Sequence, residues 1–432
     1  MQNAKRICAQ AIELCYRLFM SDPSTFNLRH LEAAAEVARL GAISRASAAV
    51  NLSQPTLTQG IAKLELQIGH RLFNRESGGC TPTSAGQLFI PRVNRALTRI
   101  EECCSHIRKV GRLSPISFPQ RHISSTQLRA FLFVERFGSF SEAARQLSLS
   151  QPAIHRATRE LELVLGVSLL VRVGQYLRPT ASGERLGRDV RLALAELRAG
   201  LDDIASLSSV HSGRLTIGTL PLARAALLPQ ALSRFYAVAP GAEIVVLEGP
   251  YLEHLSALQG GEIDVIIGAL RSTEALSDIR QVSLFEDDLY IVGRKGHPLD
   301  GQPVVDNALS SYPWVIGAPG APMRLYWERL FQNTPRPTQT VQCSSVLTTR
   351  GLLLAGDWLA LMSADQFRIE QAAGLLQPLS GRLPGSRRDI GITMRRDWLP
   401  SSLQAAFLET LKEVATERRS GSADQSRLEG VI

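Results

Sequence analysis

No uninterrupted run of about 18 apolar residues occurs in the 432-residue chain, so no stretch of it can cross a bilayer as a helix. The first twenty residues, MQNAKRICAQAIELCYRLFM, lack the build of a secretory leader. Glu13 and Arg17 break any apolar core, and no clean small-residue cleavage site follows. Cysteine is sparse. Cys8, Cys15, Cys80, Cys103, Cys104 and Cys343 show no metal-ligand spacing, which reads as reduced thiols in a cytoplasmic protein without a bound metal. The eight histidines form no HExxH pair, and neither a Gly-rich loop followed by Lys nor a G-x-S-x-G elbow is present. Catalytic residues and cofactors are therefore not expected, and an enzyme is disfavoured.

What is present is distributed unevenly. Residues 1–209 hold 27 Lys and Arg against 17 Asp and Glu, a balance of +10, whereas residues 210–432 hold 21 against 23, a balance of −2. A basic half suits a polyanion such as double-stranded DNA, although many non-binding domains carry a similar surplus.

The basic half is built on an internal repeat. NLSQPTLTQGIAKLE (Asn51 to Glu65) aligns without gaps on SLSQPAIHRATRELE (Ser148 to Glu162), an offset of 97 residues. At the same offset Leu31 meets Leu128, Gly41 meets Gly138, Gly69 meets Gly166, Arg75 meets Arg172, and Pro82-Thr83 meets Pro179-Thr180. Each copy reads as one series of short elements. Leu128, Phe131 and Val134 mark the apolar face of a first helix ending at Gly138. Ser141 is expected to cap a second helix, and Ser150 a third with Pro152 in its first turn. Two helices joined by a tight turn form a helix-turn-helix, whose second helix fits the major groove. Gly166 to Thr180 then reads as a hairpin, or wing.

A long helix follows each hairpin. Apolar residues recur at Ala85, Phe89, Val93, Ala96, Ile100, Cys103 and Ile107, and again at Leu186, Val190, Leu194, Leu197, Leu201 and Ile204. These heptad-like stripes suit pairing with another helix or, alternatively, packing on the chain's own domain.

The sequence Gly-Ser-Phe-Ser-Glu-Ala-Ala followed by Leu-Ser-Gln-Pro-Ala-Ile resembles the winged helix-turn-helix of LysR-type transcriptional regulators, as does LFNRESGGCTPTSAG in the first copy. A typical member of that family has one such module, so a tandem duplication is a departure. The resemblance implies base contacts from Gln54, Pro55, Thr58 and Gln59 in copy one and from Gln151, Pro152, His155 and Arg156 in copy two. Gln can read adenine and Arg guanine, while prolyl and threonyl carbons touch a thymine methyl. Ser53, Ser150, Arg75, Arg172 and Arg178 are the expected phosphate contacts. For any one Gln or Ser the alternative is a helix cap or a solvated face. For Arg75 and Arg172 it is an ion pair with Glu65 and Glu162. Gly60 interrupts the third helix of copy one, at a cost of about 1 kcal/mol relative to Ala.

From Gly213 the pattern changes to short apolar runs, GRLTIGTL, AEIVVLEG, DVIIGAL, DLYIVGRK, YPWVIGA, LALMSAD and DIGITMRR, separated by helical stretches. This predicts an α/β fold with largely parallel sheets, and its order resembles the two-lobed type-2 periplasmic-binding fold. The expected organisation is an N-terminal extension (1–25), a winged module (26–83), a linker helix (84–110), a linker (111–122), a second winged module (123–180), and a second linker helix (181–208). An effector-binding domain (212–415) follows, with lobe one at 212–288 and 389–415 and lobe two at 289–388. A disordered tail (416–432) is expected last. Strand ends and helix starts nominate Thr219, Leu220, Pro221, Gly268, Ala269, Ser344 and Ser345 for the effector, with simple caps and turns as the alternative. ALQGGEIDVIIGALRS resembles the branch linked to galactose-binding-protein regulators, which implies a sugar or small organic acid as effector.

The expected function is thus a sequence-specific transcriptional regulator whose DNA-binding heads answer to a small molecule. Its implied partners are DNA, the effector, further copies of itself as dimer or tetramer, and RNA polymerase, with no membrane. A solute-binding protein would not explain the duplicated basic half. A DNA-architectural protein, the alternative retained, has no need of a two-lobed clamp.

Overall fold

The structure, a computed structural model, describes residues 22–76, 79–115, 117–207, 213–220, 225–271, 276–302 and 306–429. The chain divides into two units, residues 1–209 and residues 210–432. Most of the expected N-terminal extension lies outside the described residues, as does Pro221.

In the first unit the expected element series occurs twice. The first segment comprises α1 (Leu28–Leu40), α2 (Ile43–Ala49), α3 (Gln54–Ile68), a hairpin of β1 (Phe73–Glu76) and β2 (Gly79–Pro82), and the long α4 (Ser84–Val110). The second comprises α5 (Ser125–Phe137), α6 (Phe140–Leu147), α7 (Gln151–Leu165), the hairpin β3 (Leu170–Val173) and β4 (Tyr176–Pro179), and α8 (Ala181–Ala205). Helix ends follow local chemistry. Gly41, Gly69, Gly138 and Gly166 close α1, α3, α5 and α7 in the left-handed conformation that glycine adopts without steric cost. One start differs from expectation: Ser139, not Ser141, caps α6 by accepting from the Glu142 amide at 3.4 Å. Ser141 Oγ instead donates to Gln151 Oε1 at 2.9 Å.

Each hairpin is tied to its neighbours by the same three devices. Glu65 Oε1 accepts from the Leu72 amide at 2.7 Å, and Glu162 Oε1 from the Leu169 amide at 2.8 Å. Thr83 and Thr180 cap α4 and α8, and their hydroxyls donate to Arg71 O and Ser168 O. Gly86 and Gly183 then let each long helix approach the hairpin. A Cβ there would lie 2.2 Å from Leu72 O and 2.1 Å from Leu169 O.

The apolar stripes of α4 and α8 are buried, with Leu194 partly so, and the two long helices pack on each other within the chain. Phe89 abuts Gly200, while Arg99 meets Asp189 further along α4, so the two helices run antiparallel.

The second unit contains two five-stranded sheets. In chain order its elements are β5 (Gly213–Thr219), α9 (Leu227–Val238), β6 (Ala242–Glu248), α10 (Tyr251–Gln259), β7 (Val265–Ala269), β8 (Ile279–Asp287), β9 (Leu289–Arg294) and α11 (Asp306–Leu309). There follow β10 (Trp314–Ile316), α12 (Pro322–Leu330), β11 (Thr340–Gln342), α13 (Val346–Ala355), β12 (Leu359–Ser363), α14 (Ala364–Ala372), β13 (Leu376–Pro378), β14 (Arg388–Arg395) and α15 (Ser402–Glu429). The strand orders are β6-β5-β7-β14-β8 and β11-β10-β12-β9-β13, so the chain leaves the first sheet at Asp288 and re-enters it at Arg388.

Both sheets are mixed, not largely parallel. β5 pairs parallel with β6 and β7, but β14 runs antiparallel to β7 and β8. In the second sheet β10 pairs parallel with β11 and β12, whereas β9 runs antiparallel to β12 and β13. The cause is the passage between sheets: β8 and β9 continue one into the other, and β14 returns against that direction.

The tail also differs from expectation, because α15 continues past residue 416 to Glu429. Arg234 pairs with Glu417 at 2.7 Å, and Arg418 Nη1 donates to Asp365 Oδ1 at 2.6 Å, which anchors the helix beyond the point where its apolar pattern fades.

Candidate functional site

Helices α3 and α7 present most of the residues nominated for base contact. Gln54, Pro55 and Gln59 are exposed on α3, with Thr58 half-buried; Gln151, Pro152, His155 and Arg156 are exposed on α7. The opposite faces are packed, through Leu57, Ile61 and Leu64 on α3 and Ile154, Leu161 and Leu165 on α7. Burial of one stripe holds the polar stripe outward, as recognition by a helix requires.

Ser53 and Ser150 act as caps. Their hydroxyl oxygens accept from Thr56 N and Ala153 N, both at 3.3 Å, while both residues remain exposed. His155 stands against Phe140 with ring centroids 5.1 Å apart, so the imidazole is oriented by packing. Arg75, Arg172 and Arg178 are exposed on the hairpins. The alternative pairing of Arg75 and Arg172 with Glu65 and Glu162 is not what the structure contains. Both glutamates accept from hairpin amides, Glu162 also pairs with Arg159 at 3.0 Å, and Arg172 Nε donates to Gly174 O. Amides in fixed directions satisfy a carboxylate without ordering a long side chain.

Gly60, read as a defect, has a packing role. A Cβ there would fall 2.9 Å from His30 Cδ2, and burial against this helix lowers the His30 pKa, with Lys63 adding to the shift. The matching glutamates Glu65 and Glu162 were the signal for the hairpin tether, since both copies keep an acid at that step of the repeat.

In the second unit the lobe-one nominees gather at neighbouring strand ends. Thr219 ends β5 and Leu220 follows it, and Leu220 N donates to Ile267 O at 3.0 Å. Gly268 and Ala269 end β7, and a Cβ on Gly268 would lie 2.5 Å from Leu220 Cβ. Thr219 and Leu220 are buried, so only backbone and neighbours at this edge can meet a ligand. Ser344 and Ser345 lie on the other sheet, between β11 and α13. Both are exposed, and Ser345 caps α13 by accepting from Thr348 N at 3.2 Å.

Sequence reasoning missed a charged cluster where the two sheets meet. Asp287 lies at the end of β8, 3.4 Å from Arg388, while Asp365 of α14 holds Arg418 of α15. Burial pushes the Asp287 carboxyl up to about 6, against the opposing pull of Arg388 and Ser363. Desolvation likewise lowers the Arg388 guanidinium. The acids and arginines of this cluster lie far apart in sequence, so no spacing could flag them. Among the described residues no cluster of His, Cys, Asp and Glu could hold a metal, and no helix is long and apolar enough to cross a membrane.

Comparison with known proteins accords with this geometry. The family profile described as bacterial regulatory helix-turn-helix protein, lysR family, matches twice, over residues 28–87 and 125–184, two stretches separated by the 97-residue offset. The LysR substrate binding domain matches residues 208–416. The HTH-type transcriptional regulator GalR of Pseudomonas putida is 31% identical over 401 residues, covering 92% of this chain and 100% of that protein. PcaQ of Agrobacterium fabrum is 27% identical over 308 residues, covering 70% of this chain and 99% of its own. Among solved structures, ArgP from Mycobacterium tuberculosis has a TM-score of 0.53 at 18% identity and covers 67% of this chain and 96% of its own. Full-length OxyR from Pseudomonas aeruginosa has a TM-score of 0.50 at 22% identity, covering 67% and 93%. These two similarities concern the fold.

Proposed function

Because this chain belongs to the LysR family of bacterial DNA-binding transcriptional regulators with an effector-binding domain, we propose that both of its helix-turn-helix segments read DNA under the control of one ligand-binding domain. The working modules are residues 26–83 and 123–180, each joined to its linker helix (84–110 and 181–208), and the control domain is residues 212–415. The observation that carries this reading is the doubled surface. Each segment turns a Ser-capped, Gln-Pro-started helix outward beside exposed hairpin arginines.

Two further facts support it. PcaQ is accounted for over nearly its whole length by 70% of this chain, which leaves about one module over. The Pseudomonas putida regulator aligns end to end over 401 residues, a length that takes in both segments.

In this reading Gln54, Gln59 and Gln151 contact adenine edges, Arg156 contacts guanine, and Pro55, Pro152, Thr58 and His155 supply shape and apolar contact. Ser53, Ser150, Arg75, Arg172 and Arg178, with the free amides of the first turns of α3 and α7, hold phosphates. A sugar or small organic acid binds between the two lobes near Gly268, Ala269, Ser344 and Ser345 and shifts the population of assembled states. Chains associate with one another, and RNA polymerase is the downstream partner.

A gel-shift and footprinting series tests the DNA assignment. Arg156→Ala and Gln59→Ala should each weaken binding to the neighbouring promoter and alter its footprint. Unchanged affinity and footprint in both would show that α3 and α7 are not the readers. A thermal-shift screen of small acids and sugars tests the second half, with a raised transition expected for the effector alone.

A further inference from the structure

The two long helices carry opposite charge at equivalent positions. On α4, Arg92 and Arg99 face α8; at the same steps of the repeat, α8 carries Asp189 and Glu196. The pairs formed are Arg92 with Glu196 at 3.0 Å and Arg99 with Asp189 at 3.7 Å. Adding 97 to one member of a pair and subtracting it from the other turns the first pair into the second, as expected for two antiparallel equivalent helices about an approximate two-fold axis. Arg92 is also bonded to Asp203 at 3.1 Å, and Arg95 to Glu196 at 2.7 Å.

The flanking turns repeat the exchange. The turn Pro23–Thr25 packs on α5 and α8 of the second segment, while the turn Pro119–Arg121 packs on α1 and α4 of the first. Arg121 donates to Glu32 Oε1 at 2.7 Å in the second of these contacts.

Pairing between two copies of the first segment would bring Arg92 against Arg99, and pairing between two copies of the second would bring Asp189 against Glu196. Arg92 is only 4% exposed, so such like-charge contacts would be desolvated as well as repulsive. We propose that this charge arrangement commits each first segment to a second segment of the same chain. One chain then presents a complete DNA-reading head with two unlike recognition helices, and its DNA target is an inverted repeat with dissimilar half-sites. The inference rests on the reading that both segments bind DNA.

The unlike surfaces follow residue by residue along the repeat. Thr58, Gln59 and Lys63 on α3 stand where α7 has His155, Arg156 and Glu160, whereas Gln54-Pro55 and Gln151-Pro152 are common to both. Both half-sites should therefore share the base met by the first glutamine. They should diverge where Gln59 and Arg156 reach, adenine being favoured in one and guanine in the other.

The test uses the full-length chain and duplexes selected from a random pool. The expected outcome is a site of two dissimilar halves in inverted orientation, with one duplex bound per chain at duplex saturation by native mass spectrometry. Gln59→Ala should relax base preference about tenfold in one half only, and Arg156→Ala about tenfold in the other only. Both side chains are exposed, so neither substitution endangers folding. Identical half-sites, two chains per duplex at saturation, or either substitution relaxing both halves would overturn the proposal while leaving DNA reading intact. Recovery of no preferred duplex would overturn the DNA reading and the proposal together.

Discussion

Removing the Arg92 guanidinium should destabilise the first unit far more than removal of an ordinary surface charge. Its side chain is 4% exposed and holds Glu196 and Asp203, themselves 10% and 12% exposed. Arg92→Ala takes the buried guanidinium from both carboxylates, with Glu196 keeping only the half-exposed Arg95, and breaking a buried ion pair on one side costs about 3–5 kcal/mol. For a folded unit of this size each kcal/mol lowers the melting temperature by roughly 2–4 °C, so a drop of ~6–20 °C is expected. Differential scanning calorimetry of the full-length chain measures it. A triple variant, Arg92→Met with Glu196→Leu and Asp203→Leu, removes both nearly buried carboxylates as well and should recover most of the loss, because a well-packed apolar replacement of a buried ion cluster is often neutral or stabilising. A loss below about 1 kcal/mol for Arg92→Ala would place the cluster among exposed pairs and refute the reasoning. So would a triple variant as unstable as the single one.

Other perturbations probe separate features. Burial pushes the Cys104 thiol up to about 12 and raises Cys103 further, with Asp189 beside it adding to both shifts. Peptide mass spectrometry after alkylation at pH 8 should find the peptide carrying both modified only after unfolding, whereas half-buried Cys343 reacts in the native chain. Gly183→Ala would force a Cβ to 2.1 Å from Leu169 O and should cost at least 1–3 kcal/mol by about the usual overpacking penalty, while Gly351→Ala in α13, with nothing within 4 Å, should stabilise by about 0.5–1 kcal/mol. Equal effects of the two on thermal unfolding would contradict the close approach. The carboxyl of Asp287 ionises near 6 in the folded chain instead of 3.8, so the folded state binds the extra proton in that interval. Stability should therefore fall as pH rises from 4 to 6, by at most about 3 kcal/mol, and Asp287→Asn should flatten that slope in melting-temperature profiles. Arg178→Ala should weaken binding to all duplexes alike and reduce the salt slope of log affinity by about one, and a change confined to particular sequences would argue against a phosphate contact.

The residues that were legible in the sequence are those whose role is local. Gly41, Gly69, Gly138 and Gly166 announce helix ends because a left-handed residue there is a local requirement, and Ser53, Ser150, Thr83 and Thr180 announce starts for the same reason. The apolar stripes of α4 and α8 were equally plain, but periodicity tells which face is buried and not what buries it. That each covers the other required the antiparallel crossing. Ser141 misled because Ser139 and Ser141 are equally good caps on paper, and Gln151, ten residues on, engages the second. The sheets read as parallel because strands with helices between them usually are, whereas the direct continuation of β8 into β9 has no helical signature. β8 itself escaped notice: Arg280, Gln281, Ser283, Glu286 and Asp287 interrupt its apolar run, and its register slips opposite Ile390 and Gly391. The candidate sites divide in the same way. Exposed helix faces followed from the repeat, while the cluster of Asp287, Arg388, Asp365 and Arg418 depends on two strands and two helices distant in sequence meeting.

The antiparallel embrace of α4 and α8 has a consequence for how the head responds to dilution. The two segments that carry these helices are joined by a connection of only 14 residues, from Gly111 to Ser124. A tether that short keeps the partner helix at an effective concentration of roughly millimolar, whatever the amount of protein in the cell. A regulator scarce enough to fall below the dissociation constant of an ordinary two-chain head would still carry its head assembled, and its occupancy of DNA would track copy number linearly instead of as its square.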